Sequence, residues 1–324
     1  MLYLCGVITF DRTYYPEFES TFSRLYEKLA KLNSKRPLPS IALQNIKEAL
    51  TVEWTYNSNK IEGNTLTLRE TQMVLQEGVT IKGISLREHF EAKNHEIAID
   101  KLFAMVQEDY HLRANDIILL HSLVMRTIEE DFAGRYRNGG VRIAGANFIP
   151  PNAMKVSVLV DELVQFVNEN SLQLNTIELA TLFHHQFVWI HPFFDGNGRT
   201  VRLAMNLILM QKGFPPAIIL SNDRKKYYDA LNQANHGKYN KLMLLMCQAV
   251  ERSLNIYLNV LPDNPYKYQE ISNLLEEHQM PYGQEYISLL ARKGKIDAYK
   301  EGRNWMTHKT AIENYMFDKK KSKN

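Results

Sequence analysis

The chain has 324 residues, 45% of them hydrophobic, and a formal net charge of +3. This length can bury a substantial core and predicts more than one domain, and the charge is too mild to indicate nucleic acid or an anionic membrane as a partner. The only cysteines, Cys5 and Cys247, suggest no disulfide framework. The apolar start Met1–Val7 is short and lacks a basic segment, so we expect no signal peptide, no membrane span and a cytoplasmic protein.

The residues before about Leu112 form a helical first region, predicted as 1–111. Several apolar residues there keep helical spacing: Phe18, Phe22, Leu25, Leu29 and Leu32. Further on, the run Ser58–Asn64 has a Gly-Asn pair at its end. Taken alone, this run is typical of a helix that ends in a turn.

The segment 134–151 interrupts the helical pattern. Its glycines, the alternation at Val141-Arg142-Ile143 and the closing prolines predict a short hairpin. A helix follows at 156–167, where apolar residues again keep helical spacing.

The twelve residues from His191 to Arg202 carry the most chemistry. They read His-Pro-Phe-Phe-Asp-Gly-Asn-Gly-Arg-Thr-Val-Arg, with a base, a carboxylate, a glycine-rich turn and two arginines. The glycines let backbone N–H groups around Asn197 approach an anion, and a helix starting near Arg199 adds its positive end. Asp195 supplies a hard oxygen of the kind that holds Mg²⁺. Singly, each residue has an ordinary explanation as a cap, a turn or a solvated helix face, but together they predict a phosphate-handling active site.

Two adjacent histidines, His184 and His185, precede this run and raise the alternative of a metal site. Neighbouring positions on a helix point about 100° apart, and the flanking residues are apolar, so we interpret both as core histidines. After the run, an almost wholly apolar helix ends at Gly213. A phosphate loop needs such a rigid support.

The last part of the chain changes character after the proline-containing linker at 261–265. It predicts a helix, a glycine turn and a short hairpin with its turn at Glu301-Gly302. We therefore expect a catalytic core at 112–261, a C-terminal module at 266–318 and a disordered basic tail at 319–324.

The run from His191 to Arg202 matches the signature of the Fic family, His-Pro-Phe-x-Asp/Glu-Gly-Asn-Gly-Arg-x-x-Arg, at every position. The resemblance implies a mainly α fold, with a Fic-type helical core and a small β-hairpin flap. It also implies a protein adenylyltransferase that moves AMP from ATP to a hydroxyl side chain of a target protein, and to itself. By the same resemblance His191 is the catalytic base and Asp195 the Mg²⁺ ligand, while the phosphates are held by Gly196, Asn197, Gly198, Arg199 and Arg202.

The run Ser58–Asn64 resembles the inhibitory motif of that family, Ser/Thr-x-x-x-Glu-Gly/Asn. The resemblance implies that Glu62, on the helix with Ser58, forms a bidentate pair with Arg202 where a γ-phosphate would lie. In some relatives the same glutamate aligns a water that removes AMP, so the reverse reaction stays open.

Two further segments resemble functional parts of Fic proteins. The segment Val141, Arg142, Ile143 and Ala144 resembles the flap, whose edge pairs with an extended target segment by β-augmentation. The run 224–235 resembles the nucleoside-pocket helix, with Tyr227, Tyr228 and Asn235 as candidates, although an amphipathic helix with half-buried tyrosines also fits.

The C-terminal module resembles the winged-helix modules of excisionase-like regulators. Such modules can bind DNA, but acidic residues dilute the basic groups here, and a packing or target-docking module is the alternative. The main alternative function is therefore a DNA- or protein-binding regulator with slow or self-directed transfer. Transfer of phosphate or of another nucleotide, and assembly into a homo-oligomer, also stay open.

Overall fold

The computed structural model describes residues 16–107, 110–146, 148–261, 264–278 and 280–321. The apolar start and part of the 261–265 linker lie outside these ranges. Across the described ranges, no helix is long and apolar enough to cross a membrane.

The part of the chain before the linker is helical, which confirms the predicted fold class. Its helices are α1 (Glu19–Asn33), α2 (Ser40–Glu62), α3 (Leu68–Gln76), α4 (Leu86–Met105), α5 (Ala114–Met125), α6 (Val156–Glu169), α7 (Thr176–Ile190), α8 (Asn197–Gln211), α9 (Arg224–Ala234) and α10 (Asn240–Asn259). The helices predicted at 18–32 and 156–167 are confirmed as α1 and α6. The helix predicted after the glycine-rich turn is α8, and Gly213 follows its end with a left-handed φ of 84°.

Helices α7 and α8 pack against each other at the centre of the molecule, and nearly every residue of α8 is buried. A capping box at Asn175 and Glu178 starts α7 by satisfying its first N–H groups. Helices α2, α4 and α5 cover α8. The loop between α7 and α8 is therefore fixed at both ends by buried helices.

The two adjacent histidines of α7 fasten neighbouring helices. His184 Nε2 lies 2.7 Å from the Tyr227 hydroxyl. His185 Nε2 lies 2.9 Å from Asn235 Oδ1, and its Nδ1 lies 2.9 Å from the Tyr239 hydroxyl. Burial lowers the pKa of His185 to about 4. These contacts support the interpretation of both as hydrogen-bonded core histidines.

The predicted flap hairpin is not formed by the described residues of 134–151, which make no strand ladder. The segment turns at Ala144 and Gly145, where the Ala146 N–H donates to Ile143 O at 3.2 Å. The guanidinium of Arg137 links the two sides of this segment. It donates to Gly139 O at 2.9 Å and to Pro151 O at 2.5 Å. The prediction of paired strands was therefore wrong for the described residues, where side-chain contacts from Arg137 link the segment and no backbone ladder is formed.

The C-terminal module has β1 (Gln269–Glu270), α11 (Ile271–His278), α12 (Gln284–Arg292), β2 (Ala298–Glu301), β3 (Asn304–Thr307) and α13 (Lys309–Lys321). Its antiparallel sheet has the order β1-β3-β2, and Glu301 pairs with Asn304 across the turn. The predicted hairpin at Glu301-Gly302 is confirmed. The module has a hydrophobic cluster of its own, built around Ile287 and Ile312.

The module is docked onto the helical core through buried polar groups. Lys28 of α1 bridges Asp297 and Glu251, with Nζ 2.5 Å and 2.9 Å from their oxygens. Strand β2 packs against α10. This arrangement supports the packing alternative for the module, and DNA binding stays a prediction.

The prediction of a disordered tail was wrong for its first residues, because α13 runs to Lys321. Lys319 Nζ lies over the rings of Tyr282, Tyr286 and Tyr315, and bonds to the Tyr286 hydroxyl at 3.2 Å. These cation–π contacts hold the start of the tail against the module. Residues 322–324 lie outside the described ranges.

Candidate active site

His191 ends α7 in a left-handed conformation, with φ 49°. Its backbone is held by its own N–H, which donates to Phe187 O at 2.9 Å, and by Arg137 Nε, which donates to His191 O at 2.8 Å. Burial lowers the pKa of the imidazole to about 4. The ring is therefore neutral at pH 7 and able to accept a proton.

The loop after His191 is shaped by two side chains. Asn197 Oδ1 accepts from the Phe193 N–H at 2.9 Å, and its Nδ2 donates to Phe193 O at 2.8 Å. The His121 ring stacks on Phe193 with 3.6 Å between centroids. Because the Gly134 N–H donates to His121 Nδ1, Nε2 carries the proton and donates to Asp195 O at 3.0 Å. Because both ends of the Asn197 side chain bond to the loop, we expect backbone N–H groups, and not this side chain, to contact an anion.

The first turn of α8 forms an anion site. Gly196 precedes it with a left-handed φ of 73°, and a Cβ there would lie 2.8 Å from Met125 Sδ. The N–H groups of the first turn have no intrahelical partner, and the helix end is positive. A Cβ on Gly198 would lie only 2.1 Å from Glu62 Oε1. The carboxylate of Glu62 therefore lies directly against this turn.

The predicted pair between Glu62 and Arg202 is present, with Glu62 Oε1 2.7 Å from Arg202 Nη2. The pairing is not bidentate as predicted, because Ser58 takes the remaining donors on that edge. Arg202 Nε donates to Ser58 Oγ at 3.0 Å, and Nη2 also donates to Ser58 O at 2.8 Å. The last turn of α2 thus presents one hydroxyl, one carbonyl and one carboxylate to a single arginine.

Both signature arginines are buried, but they serve different neighbours. Arg199 Nη1 lies 3.4 Å from Glu91 of α4, whereas Arg202 faces α2. Arg202 Nη1 and Arg199 Nε are buried without a hydrogen-bond partner among the described residues. Such orphaned guanidinium donors are costly unless an anion satisfies them.

Asp195 is the exposed member of the site, with 51% of its side chain accessible. Its Oδ2 accepts from Arg87 Nη2 at 2.9 Å, and its Oδ1 accepts from the Gly196 N–H at 2.6 Å. Among the described residues, no group of three or more His, Cys, Asp or Glu is arranged to hold a metal ion. Asp195 thus presents a half-exposed carboxylate at the rim of the site.

The part of the chain that carries this site is similar to known proteins. Residues 111–209 match the family model described as Fic/DOC family. A solved fragment of Fic-1 from C. elegans is 30% identical, with a TM-score of 0.67, over 77% of this chain and 75% of that fragment. This chain belongs to the Fic/DOC family.

Two curated relatives of this Fic protein carry the name protein adenylyltransferase Fic. The one from Drosophila willistoni is 33% identical over 81% of this chain and 53% of its own length. The one from Nematostella vectensis is 34% identical over 78% of this chain and 60% of its own length. The chain therefore spans little more than half the length of these relatives.

The candidate nucleoside residues of this Fic protein lie in different surroundings. Tyr227 is 1% exposed and packs in the core, so it supports the site from behind. Tyr228 is half-buried, with its hydroxyl 3.4 Å from Ile61 O beside Glu62. Asn235 ends α9 and is bound to His185. Of the three, Tyr228 is half-buried beside the end of α2, whereas Tyr227 is buried close to Arg202.

The flap residues of this Fic protein lie next to α9. Along 141–144 the side chains alternate, with Val141 and Ile143 half-buried and Arg142 and Ala144 exposed. Asn232 Nδ2 donates to Gly145 O at 3.2 Å and ties the turn to α9. The predicted alternation is confirmed, although the paired strands are not.

Sequence reasoning missed several residues that shape the Fic site, namely Arg87, Glu91, His121 and Arg137. Each one acts from outside the signature. Nothing in the spacing distinguishes Arg137 from Arg135 or Arg142, although it is 2% exposed. These residues are identifiable only from the tertiary contacts.

Proposed function

We propose that this Fic protein transfers AMP from ATP to a hydroxyl side chain of a target protein, and to itself, and that Glu62 holds the reaction back. One observation carries the proposal: the carboxylate of Glu62 lies against Gly198 and Arg202, inside the anion site at the start of α8. A site that binds a carboxylate there has the donors that a phosphate needs. The adenylyltransferase name of the curated relatives supports ATP as the source of the group.

In the proposed reaction, the hydroxyl oxygen of the target attacks the α-phosphorus of ATP. The bond from that phosphorus to the bridging oxygen of the β-phosphate breaks, and pyrophosphate leaves. His191 takes the proton of the hydroxyl, which suits a buried imidazole that is neutral at pH 7. The N–H groups of the first turn of α8, with Arg199 and Arg202, would stabilise the charge that builds up on the phosphates.

Asp195 fits a role as the protein ligand to Mg²⁺. Its carboxylate is half-exposed at the rim of the anion site, and its Oδ2 accepts from the half-exposed Arg87. Mg²⁺ commonly uses one or two carboxylates and takes its other oxygens from phosphates and water. When bound, the ion would neutralise phosphate charge.

The flap would position the target. Its edge at Val141 to Ala144 makes no strand ladder within the described residues, which leaves an edge with which an extended segment could pair. Main-chain pairing of this kind selects for an extended backbone more than for a particular sequence. Tyr228 is the candidate for contact with the nucleoside, because it is half-buried and its hydroxyl lies 3.4 Å from Ile61 O, next to Glu62.

Autoinhibition follows from the geometry of Glu62. A polyphosphate that used Arg202 and the Gly198 N–H would have to displace this carboxylate, since two anions cannot share those donors. The Glu62 side chain is 33% exposed while Arg202 is 3% exposed, so the glutamate is the partner free to move away.

The test compares the parent chain with Glu62→Gly and Arg202→Ala, and with the variant that carries both changes. Each is incubated with ATP labelled at the α-phosphate or at the γ-phosphate, and parallel reactions use GTP, CTP and UTP. We expect α-label on protein, with a higher rate for Glu62→Gly, and no gain when Arg202 is also removed. Label from the γ-phosphate would instead show phosphate transfer. An unchanged or lower rate in a well-folded Glu62→Gly protein would contradict the inhibitory role.

A further inference from the structure

Helix α2, which ends at Glu62, is bonded to α4 through Thr55 and Asn59, and on its other side to α10 and residues 221–224 at three points. Glu53 accepts from Arg252 Nη2 at 2.7 Å and from Nη1 at 3.1 Å. Asn57 Oδ1 accepts from the Ser221 N–H at 2.8 Å. Ile61 O, one residue before Glu62, accepts from Arg224 Nε at 2.6 Å.

Two of these fastenings continue into the C-terminal module and converge on Lys300 of β2. Arg252 Nε donates to Lys300 O at 2.8 Å, so one guanidinium joins α2 to the module. Lys300 Nζ lies 2.9 Å and 3.1 Å from the two carboxylate oxygens of Asp223, the residue before Arg224. The side chains of Lys300 and Asp223 are 16% and 18% exposed, and at such low exposure ionic contacts are less screened by solvent.

Resting on the function proposed above, we propose that Lys300 and Arg252 are positioning residues through which the C-terminal module keeps Glu62 against Gly198 and Arg202. A helix transmits a shift along its axis as a rigid element, and nine residues at 1.5 Å each separate Glu53 from Glu62 by only about 14 Å. When Lys300 no longer binds Asp223, the Asp223–Arg224 turn becomes more mobile. The hydrogen bond from Arg224 to Ile61 O is then weakened. The module then controls how often the carboxylate leaves the anion site.

The contact between module and core is suited to such a role because it is not densely packed. A cavity of ≈ 330 Å³ lies along it, lined by Asp223, Arg252, Lys300 and Trp305 among others. Beside this cavity, β2 is joined to the core by the hydrogen bond from Arg252 to Lys300 O and by the ion pair of Lys300 with Asp223. Residues of this kind, which touch neither substrate, can shift the coupling between sites.

The experiment measures self-modification and amide exchange in the full chain. Lys300→Met keeps most of the side-chain volume and removes the ammonium. Asp223→Asn removes the same pair from the core side, together with the pair between Asp223 and Lys226. We expect each to raise the rate of AMP incorporation by about 2- to 10-fold, and to speed hydrogen exchange at residues 58–63. Lys300→Arg restores a cation and should return both readouts toward the parent values.

The matched control is Lys309→Met, in the same module, whose Nζ is 3.8 Å from Glu313 on the exposed surface. It should leave both readouts unchanged. In a Glu62→Gly background, Lys300→Met should give no further gain, because there is no carboxylate left to release.

Three results would overturn the proposal: exchange at 58–63 that is the same in parent, Lys300→Met and Asp223→Asn; equal effects from Lys309→Met; or the same gain with and without Glu62. Hydrogen exchange at residues 58–63 is measured in the absence of nucleotide, so this readout does not depend on transfer activity. If Glu62→Gly shows no transfer at all, the proposed function fails, while the exchange result still decides whether the module holds α2.

Discussion

At the scale of single residues, the site depends on how burial sets the charge of its groups. His191 is neutral because burial lowers the pKa of its imidazole to about 4. Arg202 stays charged in spite of burial, because the carboxylate of Glu62 raises its pKa. A neutral base and a buried cation in one site suit the proposed removal of a proton from a hydroxyl next to a polyphosphate.

Replacement of His191 tests its assignment as the base. We expect His191→Ala, in the Glu62→Gly background, to lower the transfer rate by about 10²–10⁴-fold while ATP binding is kept, because the anion site lies in α8. Labelled-AMP incorporation and ATP titration by calorimetry measure the two effects. Equal transfer rates with and without the imidazole would remove His191 from the mechanism.

The pH dependence of transfer follows from the lowered pKa of His191. An ordinary histidine titrates near 6.5, but here the proton-accepting form persists down to about pH 4. We therefore expect kcat/KM to show no loss attributable to His191 between pH 8 and pH 5, and to fall below that range as the imidazole is protonated. The prediction would be contradicted if kcat/KM of the Glu62→Gly protein fell toward acid with a midpoint near pH 6.5 while its affinity for ATP stayed constant.

At the scale of elements, the flap is held by one arginine in place of a ladder. Arg137 joins Gly139 and Pro151 to the last carbonyls of α7, so the flap and His191 share one anchor. An unpaired edge fixed at both ends suits a segment that gains its partner strand from a target. The flap and α7 thus form one positioning unit.

Loss of this anchor should separate protein modification from nucleotide binding. We expect Arg137→Ala to lower transfer to protein by at least about tenfold, since several buried carbonyls lose a charged donor, with ATP affinity largely kept. The exposed Arg135→Ala serves as the control for loss of charge in the same segment. Equal losses of ATP affinity and transfer would show that the anchor supports the nucleotide site instead.

At the scale of the whole molecule, the helical core and the C-terminal module are joined by a buried ionic cluster. Lys28 of α1 lies 2.5 Å from Asp297 and 2.9 Å from Glu251, and Tyr268 donates to Asp297 at 2.8 Å. Burial raises the pKa of Asp297, but the charge of Lys28 and the hydrogen bond from His308 outweigh it and hold that pKa well below its usual range. The cluster fixes the module in the orientation that places Lys300 beside Asp223.

Disruption of this cluster should destabilise the protein. We expect Asp297→Asn to cost about 3 kcal/mol or more of stability, because it leaves Lys28 buried with one carboxylate fewer. The pKa of Asp297 is lower in the folded protein than in the unfolded chain, where it is about 3.9. The ionised carboxylate therefore stabilises the fold above that pH, and this stabilisation is lost as the pH falls below it. Thermal melts from pH 7 to pH 3 should show the parent losing stability toward acid more steeply than Asp297→Asn. Glu313→Gln, at an exposed pair, should melt like the parent, and an equal melting point for Asp297→Asn would contradict the prediction.

The sequence by itself determined the local features. The periodicity of α1, α6 and α8 and the hairpin at Glu301-Gly302 follow from residue spacing and turn chemistry, which act over a few neighbours. The signature from His191 to Arg202 is contiguous, so its residues had to lie together at the junction of α7 and α8.

Tertiary structure decided what is joined across long separations. It brought Glu62 onto Gly198 and Arg202, gave Ser58 the donors that a bidentate pair would have used, and replaced the predicted hairpin ladder with contacts from Arg137. It also buried Tyr227 while leaving Tyr228 half-buried, and it docked the module through Lys28 and Lys300. The physical reason is that burial and pairing of charged groups depend on which helices pack together, and the free energy of that packing is shared among residues far apart in the chain.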